Sequence, residues 1–158
     1  MLVHAAAVIT PNGALLVLGH TGAGKSTFCR LVADHYPTLA DDICSLSFCI
    51  DSGWVVTDAK RDERDKLAPV RLHAIMRVFQ SHSSRLVGVS SREACRHLMD
   101  AVFEVETQRS ASFVRKREWF AQAAFISRKY SGWHLMFPLN SQVVRLIEDK
   151  FGSTTILP

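Results

Sequence analysis

The sequence predicts a single α/β domain, spanning 1–158, whose mixed sheet surrounds one amphipathic helix. Three observations support this fold class. Two apolar segments flank Thr10-Pro11-Asn12-Gly13, a glycine-rich loop follows the second segment, and a helical pattern begins directly after that loop. Hydrophobic residues make up 47% of the 158 residues and charged residues 22%, which is ordinary for one globular domain with its own core.

The first predicted element is a β-hairpin. Residues Leu2 to Ile9 form one apolar segment and Ala14 to Leu18 form the next. Between them, Asn12-Gly13 is the strongest short-range hairpin signal, because both residues tolerate a positive φ. We therefore predict two antiparallel strands, the second of which runs straight into the glycine-rich loop.

The following elements alternate between helical and strand patterns. A helix begins at Lys25, has Phe28, Leu31 and Val32 on one face, and ends before Pro37. Strands are predicted at Leu39–Phe48 (broken near Asp41-Asp42), Trp54–Thr57, Ala74–Phe79, Leu86–Val89 and Trp133–Phe137. Three more helices are predicted. The first begins at the capping box Ser90-Ser91-Arg92-Glu93, and the last runs from about Asn140 to Phe151. The helix between them spans Phe113–Arg128 and ends at Ser131-Gly132, and its inward-facing residues are Trp119, Phe120, Ala123 and Ala124.

Composition and charge disfavour several functional classes. No run approaches the roughly 18 apolar residues of a membrane span, and Met1 to His4 lack a basic leader, so we expect a cytoplasmic protein with no membrane association. The four cysteines form no CxxC pair, which indicates reduced thiols. The net charge is +4, but the basic residues are dispersed and no aromatic and basic platform is present, which disfavours nucleic acid as a partner.

The loop Gly19-His20-Thr21-Gly22-Ala23-Gly24-Lys25-Ser26, with Thr27 behind it, fits the pattern G-x-x-x-x-G-K-[ST]. Glycines let successive backbone N–H groups converge on phosphate oxygens, and the following helix points its positive end at the same anion. Lys25 offers a charge for the β- and γ-phosphates and Ser26 a hydroxyl for Mg²⁺. We therefore predict a P-loop (Walker A) site that binds a nucleotide through Gly19 to Thr27.

Two further features lie close to this loop in the predicted fold. Asp41-Asp42 falls at a strand start or bend, where a carboxylate can hold Mg²⁺ or accept a proton from an attacking hydroxyl; a solvated acidic turn is the alternative. Antiparallel pairing places His4 near Gly19, either as part of the site or as a histidine sealed at a sheet edge. His20 is expected to shape the loop or to face solvent.

Other polar residues are given structural interpretations. His73, His82, His97 and His134 show no ligand spacing, and Glu93 with His97 is interpreted as a surface pair on one helix face. Residues Lys60 to Lys66 are seven consecutive charged residues. We interpret them as a solvated loop, and a clamp for an acidic substrate or a phosphate through Arg61 and Arg64 is the alternative.

In these motifs the chain resembles the HPr kinase/phosphorylase family, and in particular its short stand-alone relatives. The kinase domain of that family begins with a strand bearing a histidine, makes a hairpin, and continues through a GxxGxGKS loop and a helix to a strand opening with Ala-Asp-Asp. Here these elements are Val3-His4-Ala5, Gly19 to Ser26, and Leu39-Ala40-Asp41-Asp42-Ile43. The resemblance covers roughly the first 50 residues well and the remainder only loosely.

The resemblance implies a fold similar to HPr kinase and phosphoenolpyruvate carboxykinase, ATP and Mg²⁺ as cofactors, and phosphate transfer to a serine. Lys25 would bind phosphate, Ser26 and Asp41 would serve the metal, Asp42 would be the base, and His4 would assist. The later Glu-Ile-Arg-Gly segment of the family, whose glutamate helps hold the metal, has no clear counterpart here. The C-terminal extension that HPr kinase uses against its partner protein is likewise not found.

The leading hypothesis is an ATP-dependent kinase that acts on a serine of a small protein or peptide. A small-molecule kinase for free serine or a nucleoside, and a non-catalytic ATP-binding regulatory module, are the alternatives. An ABC-type ATPase is poorly supported, because no LSGGQ-like signature occurs. Related kinases form oligomers, so a homo-oligomer is left open.

Overall fold

The predicted hairpin is present in the computed structural model, which describes residues 1–61, 67–106, 113–138 and 142–152. Its strands are Leu2–Thr10 (β1) and Gly13–Leu18 (β2). They pair antiparallel from Thr10↔Gly13 to Ala5↔Leu18, and the Thr10 hydroxyl donates to the Gly13 carbonyl at 2.8 Å. This pairing places His4 next in register opposite Gly19, as the sequence predicts.

The remaining bounds agree with the predicted order of elements. The other strands are Thr38–Ala40 (β3), Ile43–Cys49 (β4), Gly53–Asp58 (β5), Val70–Gln80 (β6), Arg85–Val89 (β7) and Ser131–Phe137 (β8). The helices are Lys25–Val32 (α1), Ser91–Glu106 (α2), Phe113–Lys129 (α3) and Gln142–Ile147 (α4), and a π-helical segment follows at Glu148–Gly152. Among these residues no helix combines the length and the apolar character that crossing a membrane requires.

The strands build a mixed sheet in the order β3-β1-β2-β6-β8-β7. The pairs β2–β6 and β6–β8 are parallel, and the others are antiparallel. The start of β1 also pairs with β4, which leads through β5 to the start of β6. The two long strands β1 and β6 therefore belong to two sheets at once, and the predicted α/β fold with a mixed sheet is confirmed.

Helices cover both faces of this sheet, which explains the unbroken apolar run in β2. Leu16 and Leu18 lie in a core that contains residues of α2 and α3. Leu15 and Val17 lie in a second core that contains residues of α1 and α4. Successive side chains of a strand point to opposite faces, so a strand buried on both faces has to be apolar at every position.

Three sequence predictions need correction. Phe120 was expected to face inward, but 59% of it is exposed, while its neighbour Trp119 is 6% exposed; the two point in different directions because adjacent helical residues are about 100° apart. Ser131-Gly132 does not end α3 but begins β8, since Gly132 packs against Ala94 and Val89 too closely for a side chain. The last helix changes to π-helical turns after Ile147.

Two predictions lie partly outside the described residues. The charged loop is described only at Lys60 and Arg61, and residues 62–66 are not. The predicted start of the last helix at Asn140 also lies outside the described part of the chain. All four cysteines are free, and Cys29, Cys44 and Cys95 are buried while Cys49 is half-buried.

The neighbours Trp119 and Phe120 provide a matched pair that tests the orientation of α3. We expect Trp119→Ala to lower the free energy of unfolding by about 3–5 kcal/mol, because it removes a buried aromatic ring. Phe120→Ala should cost less than about 1 kcal/mol, because its ring is already largely in water. Urea unfolding followed by circular dichroism measures both; equal losses, or the reverse order, would contradict this orientation.

Candidate functional site

The predicted phosphate loop joins β2 to α1 through tightly turned backbone. Gly24, the residue before α1, has φ 106°, a left-handed value that side-chain-bearing residues rarely adopt. A Cβ on Gly19 would come within 2.8 Å of the Ala23 Cβ. These constraints explain why glycine occupies both ends of the loop.

The N-terminus of α1 is open to an anion. Gly24 provides no side-chain cap, and the first turn contains no acidic residue. The first N–H groups of a helix have no partner within the helix, and together with the helix dipole they favour a bound anion. The loop and helix therefore have the local features that a phosphate site requires.

Lys25 lies folded onto the loop. Its side chain is buried, and Nζ donates to the Gly19 carbonyl at 2.7 Å and to the His20 carbonyl at 3.4 Å. Burial lowers the pKa of Lys25, since the charged form is less well solvated there. An ammonium held by two carbonyls is already positioned beside the loop and can turn toward an incoming anion.

The acidic pair lies in the break between β3 and β4. Both strands pair with β1, through Ala7↔Ala40 on one side of the break and His4↔Ile43 on the other. The Ala5 amide donates to the Asp42 carbonyl at 3.0 Å, which fixes the backbone of the break against β1. Asp41 and Asp42 are thereby brought to the same end of the sheet as the loop.

Most of the predicted residues line one concave site of about 320 Å³, but Gly19, His20 and Ala23 do not. Its walls are His4, Thr21, Gly22, Gly24, Lys25, Ser26, Thr27, Asp41, Asp42 and Gln80. Gln80 was not predicted; its side chain donates to the Gly22 carbonyl at 3.0 Å. Gly19 and Ala23 are both buried.

Asp42 has two neighbours that bear on its chemistry. His4 Nε2 lies 3.4 Å from Asp42 Oδ1, and Lys60 Nζ makes a close ion pair with Asp42 Oδ2. The hydrogen bond from Lys60 is the main reason why the pKa of Asp42 is lowered. The other ring nitrogen of His4 contacts Glu104 on α2. His4 is thus part of a polar group on a strand that pairs on both sides, so it does not lie at a sheet edge, and its role in the site stays a prediction.

A larger cavity of about 870 Å³ adjoins the loop site and shares His4, Thr21 and Asp42 with it. His20 lines this cavity, as do Arg77 from β6 and Glu104 from α2. Arg77 Nη1 donates to Asp100 Oδ2 at 3.1 Å. Sequence reasoning missed Arg77 and Glu104, because each reaches the site from a distant part of the chain, and it named Lys60 only as the start of the charged loop.

The interpretation of Glu93 and His97 as a surface pair is wrong. His97 is 5% exposed, and its Nε2 lies 2.7 Å from His134 Nε2. Glu93 Oε1 lies 3.6 Å from His134 Nε2 and 4.0 Å from His97 Nε2. Burial, together with nearby arginines, lowers the pKa of His97 to about 4, and burial also lowers that of His134. The pairing of β8 with β6 and the packing of α2 against β8 bring Glu93, His97 and His134 together. No spacing in the sequence indicates that His134 meets the other two.

Comparison with known proteins gives one finding of structural similarity. No protein-family model matches the chain, and no curated protein sequence matches it. The HPr(Ser) kinase/phosphatase from Coxiella burnetii superposes with a TM-score of 0.46 and 9% identity, over 94% of this chain and 92% of that chain. The functional proposal below therefore rests on the residues of this chain.

The contact between Lys60 and Asp42 leads to a testable prediction about the pKa of Asp42. Lys60→Ala should raise the pKa of Asp42 toward that of an ordinary carboxyl group, because the main cause of the lowered pKa is removed. The contact stabilises the fold at neutral pH, and this contribution is lost as the pH falls through the lowered pKa of Asp42. Carbon-detected NMR titration of the Asp42 carboxyl measures the shift. Lys150→Ala, a change on the π-helical segment, is the control, and an unchanged Asp42 pKa in Lys60→Ala would contradict the assignment.

Proposed function

We propose that this protein binds ATP with Mg²⁺ at the loop Gly19 to Thr27 and transfers the γ-phosphoryl group to a serine of a small protein or peptide. One observation carries the proposal. The loop, the acidic pair and His4 line a single site of about 320 Å³, so groups suited to a triphosphate, a metal ion and a proton face the same space.

The loop and the N-terminus of α1 bind the triphosphate. The uncapped helix N-terminus supplies N–H groups and a positive dipole end. Lys25 lies at the same place, and its ammonium can exchange the Gly19 carbonyl for a phosphate oxygen. A charge-assisted contact with phosphate is stronger than one with a neutral carbonyl, so the exchange is favourable.

The oxygen donors at the site fit Mg²⁺. Ser26 and Asp41 line the loop site together, and a hydroxyl with a carboxylate is the donor set that Mg²⁺ prefers beside nucleotide phosphates. Ser26 and Asp41 would hold the ion, which when bound neutralises charge on the phosphates.

Asp42 is suited to accept the proton of the attacking hydroxyl. Its lowered pKa keeps it ionised at neutral pH. As the serine Oγ forms a bond to the γ-phosphorus, the bond from that phosphorus to the β,γ-bridging oxygen breaks, ADP leaves, and the serine proton passes to Asp42. Lys60, whose side chain is 57% exposed, can swing away to let the hydroxyl approach. His4 orients Asp42 from the other side and is itself held by Glu104.

The larger cavity supports a peptide or protein as the acceptor. It extends from Asp42 over about 870 Å³, of which free serine would fill only a small part. Its walls carry both signs of charge, with Arg77 beside Asp100 and Glu104. A polypeptide segment with a serine at the Asp42 end matches this shape better than a small molecule does.

Removal of the Lys25 ammonium should weaken ATP binding. A hydrogen bond to a charged group contributes about 1.5–3 kcal/mol, so Lys25→Ala should reduce the affinity for ATP about 10- to 100-fold. Isothermal titration calorimetry with Mg²⁺ present measures it. Lys129→Ala, at the end of α3, is the matched control and should bind as the wild type does. Equal affinities in Lys25→Ala and the wild type would refute the proposed site.

The Asp42→Asn variant separates catalysis from binding. The amide keeps the size of the side chain but cannot accept the proton, so phosphoryl transfer should fall about 10²- to 10⁴-fold. ATP affinity should change little, because Asp42 is assigned to the acceptor. Transfer of label from γ-labelled ATP to serine-containing peptides, with free serine and nucleosides in parallel, measures this. Asp51→Asn, in the β4–β5 turn, is the control.

Each outcome of that assay decides between functions. Label on peptides alone supports the proposal, and label on free serine or a nucleoside supports a small-molecule kinase. ATP binding without transfer to any acceptor, in the wild type as in Asp42→Asn, would identify a regulatory module instead.

A further inference from the structure

The side chains of Glu93, His97 and His134 converge where the first turns of α2 cross β8. Glu93 and His97 are one helical turn apart, and Ser90 caps the helix by accepting from the Glu93 amide at 3.2 Å. The ring of His134 packs edge-on against Phe79, with centroids 4.9 Å apart. His97 is buried, while Glu93 is 36% and His134 21% exposed. One side of this cluster is therefore buried, and the other side is accessible to solvent.

The separations of the three donor atoms suit a bound metal ion. The distances are 2.7 Å between the two Nε2 atoms, and 3.6 Å and 4.0 Å from them to Glu93 Oε1. A triangle with these sides has a centre about 2 Å from each corner, which is the usual length of zinc bonds to imidazole nitrogen and carboxylate oxygen. One ion at this point, in the plane of the three atoms, can contact all of them, and a tetrahedral arrangement requires the two Nε2 atoms to move apart.

We propose that Glu93, His97 and His134 bind a divalent transition-metal ion, with Zn²⁺ the best match. Two imidazoles and one carboxylate form a donor set that favours Zn²⁺, and it differs from the oxygen-only set preferred by Mg²⁺. Three protein ligands leave a further coordination position to water or another small ligand. This site is separate from the proposed nucleotide site, none of whose assigned residues it uses.

In the absence of a metal ion, the neighbouring arginine Arg77 determines which ring nitrogen of His97 carries the proton. Arg77 Nη1 lies 2.7 Å from His97 Nδ1, and a guanidinium can only donate. His97 Nδ1 therefore accepts, its proton lies on Nε2, and Nε2–H donates to His134 Nε2. Arg96 lies 3.9 Å from Glu93 Oε1, and Asp100 accepts from Arg77.

Metal binding is consequently coupled to Arg77. For His97 Nε2 to bind the ion, its proton has to leave, and a neutral ring then carries the proton on Nδ1, facing Arg77. Two donors cannot share one hydrogen bond. The hydrogen bond from Arg77 to His97 therefore has to break, while the one from Arg77 to Asp100 can remain. Arg77 also lines the larger cavity, so the ion would release this guanidinium toward the proposed acceptor site.

The test uses the full chain, stripped with a chelator and titrated with Co²⁺ and then Zn²⁺. The expected result is one equivalent of Co²⁺ with visible absorption typical of nitrogen and oxygen ligands, displaced by Zn²⁺. His134→Ala and Glu93→Gln should each reduce the affinity for Zn²⁺ by more than about 100-fold, since loss of a second-shell partner alone costs 10- to 100-fold. Arg77→Met should bind Zn²⁺ more tightly, because a competing positive charge is removed.

The matched control is His35→Gln. His35 Nδ1 lies 2.7 Å from Glu148 Oε1. This histidine and glutamate contact belongs to no three-ligand group among the described residues, and its loss should leave Zn²⁺ binding unchanged. Far-ultraviolet circular dichroism verifies the fold of each variant, and Glu93→Gln, at the exposed side, tests the proposal even if His134→Ala unfolds. Absence of saturable binding, equal affinity in both ligand variants and the wild type, or a thiolate-to-cobalt charge-transfer band would each overturn the proposed site.

Discussion

The position of β1 between β2 and the β3–β4 pair is the constraint on which the candidate site depends. On one side, the register Ala5↔Leu18 brings the end of β2, and hence the loop, level with the start of β1. On the other side, β1 pairs with the ends of β3 and β4 that flank Asp41-Asp42. A shift of register by one residue would turn every side chain of β1 to the opposite face, and His4 would no longer face Asp42.

This constraint is strong because β1 and β2 are buried on both faces. The alanines of β1 alternate between the two cores and are fully buried, and their small size lets helices approach the sheet closely from either side. Charged side chains can therefore be accommodated only at the ends of β1 and β2. Lys25 illustrates the cost, since its ammonium is buried and its charge is met by the carbonyls of the loop.

The features that sequence reasoning predicted are those with local signals. Asn12-Gly13 marks the hairpin, the spacing of Gly19, Gly24 and Lys25 marks the loop, and Ser90 with Glu93 marks the start of α2. What it missed depends on contacts between distant segments. Lys60 reaches Asp42 across 18 residues of chain and His4 meets Glu104 across 100. The charged run that begins at Lys60 does not indicate Asp42 as its partner, and Glu104 lies in no pattern that indicates His4. Phe120 was misplaced because an apolar residue beside a buried one looks the same in a helical pattern whichever way it points.

Arg77 connects the two polar regions of the molecule. It sits on β6 opposite Leu18, so the parallel pairing that supports the loop also places this guanidinium between the larger cavity and the cluster on α2 and β8. Its contacts with His97 and Asp100 leave Nε buried without a hydrogen-bond partner among the described residues, and an unsatisfied buried donor is costly. An anion in the cavity could satisfy this donor, and an ion at the histidines would remove the contact between Arg77 and His97. The strand that stabilises the loop thus also carries the charge through which the second site can act on the first.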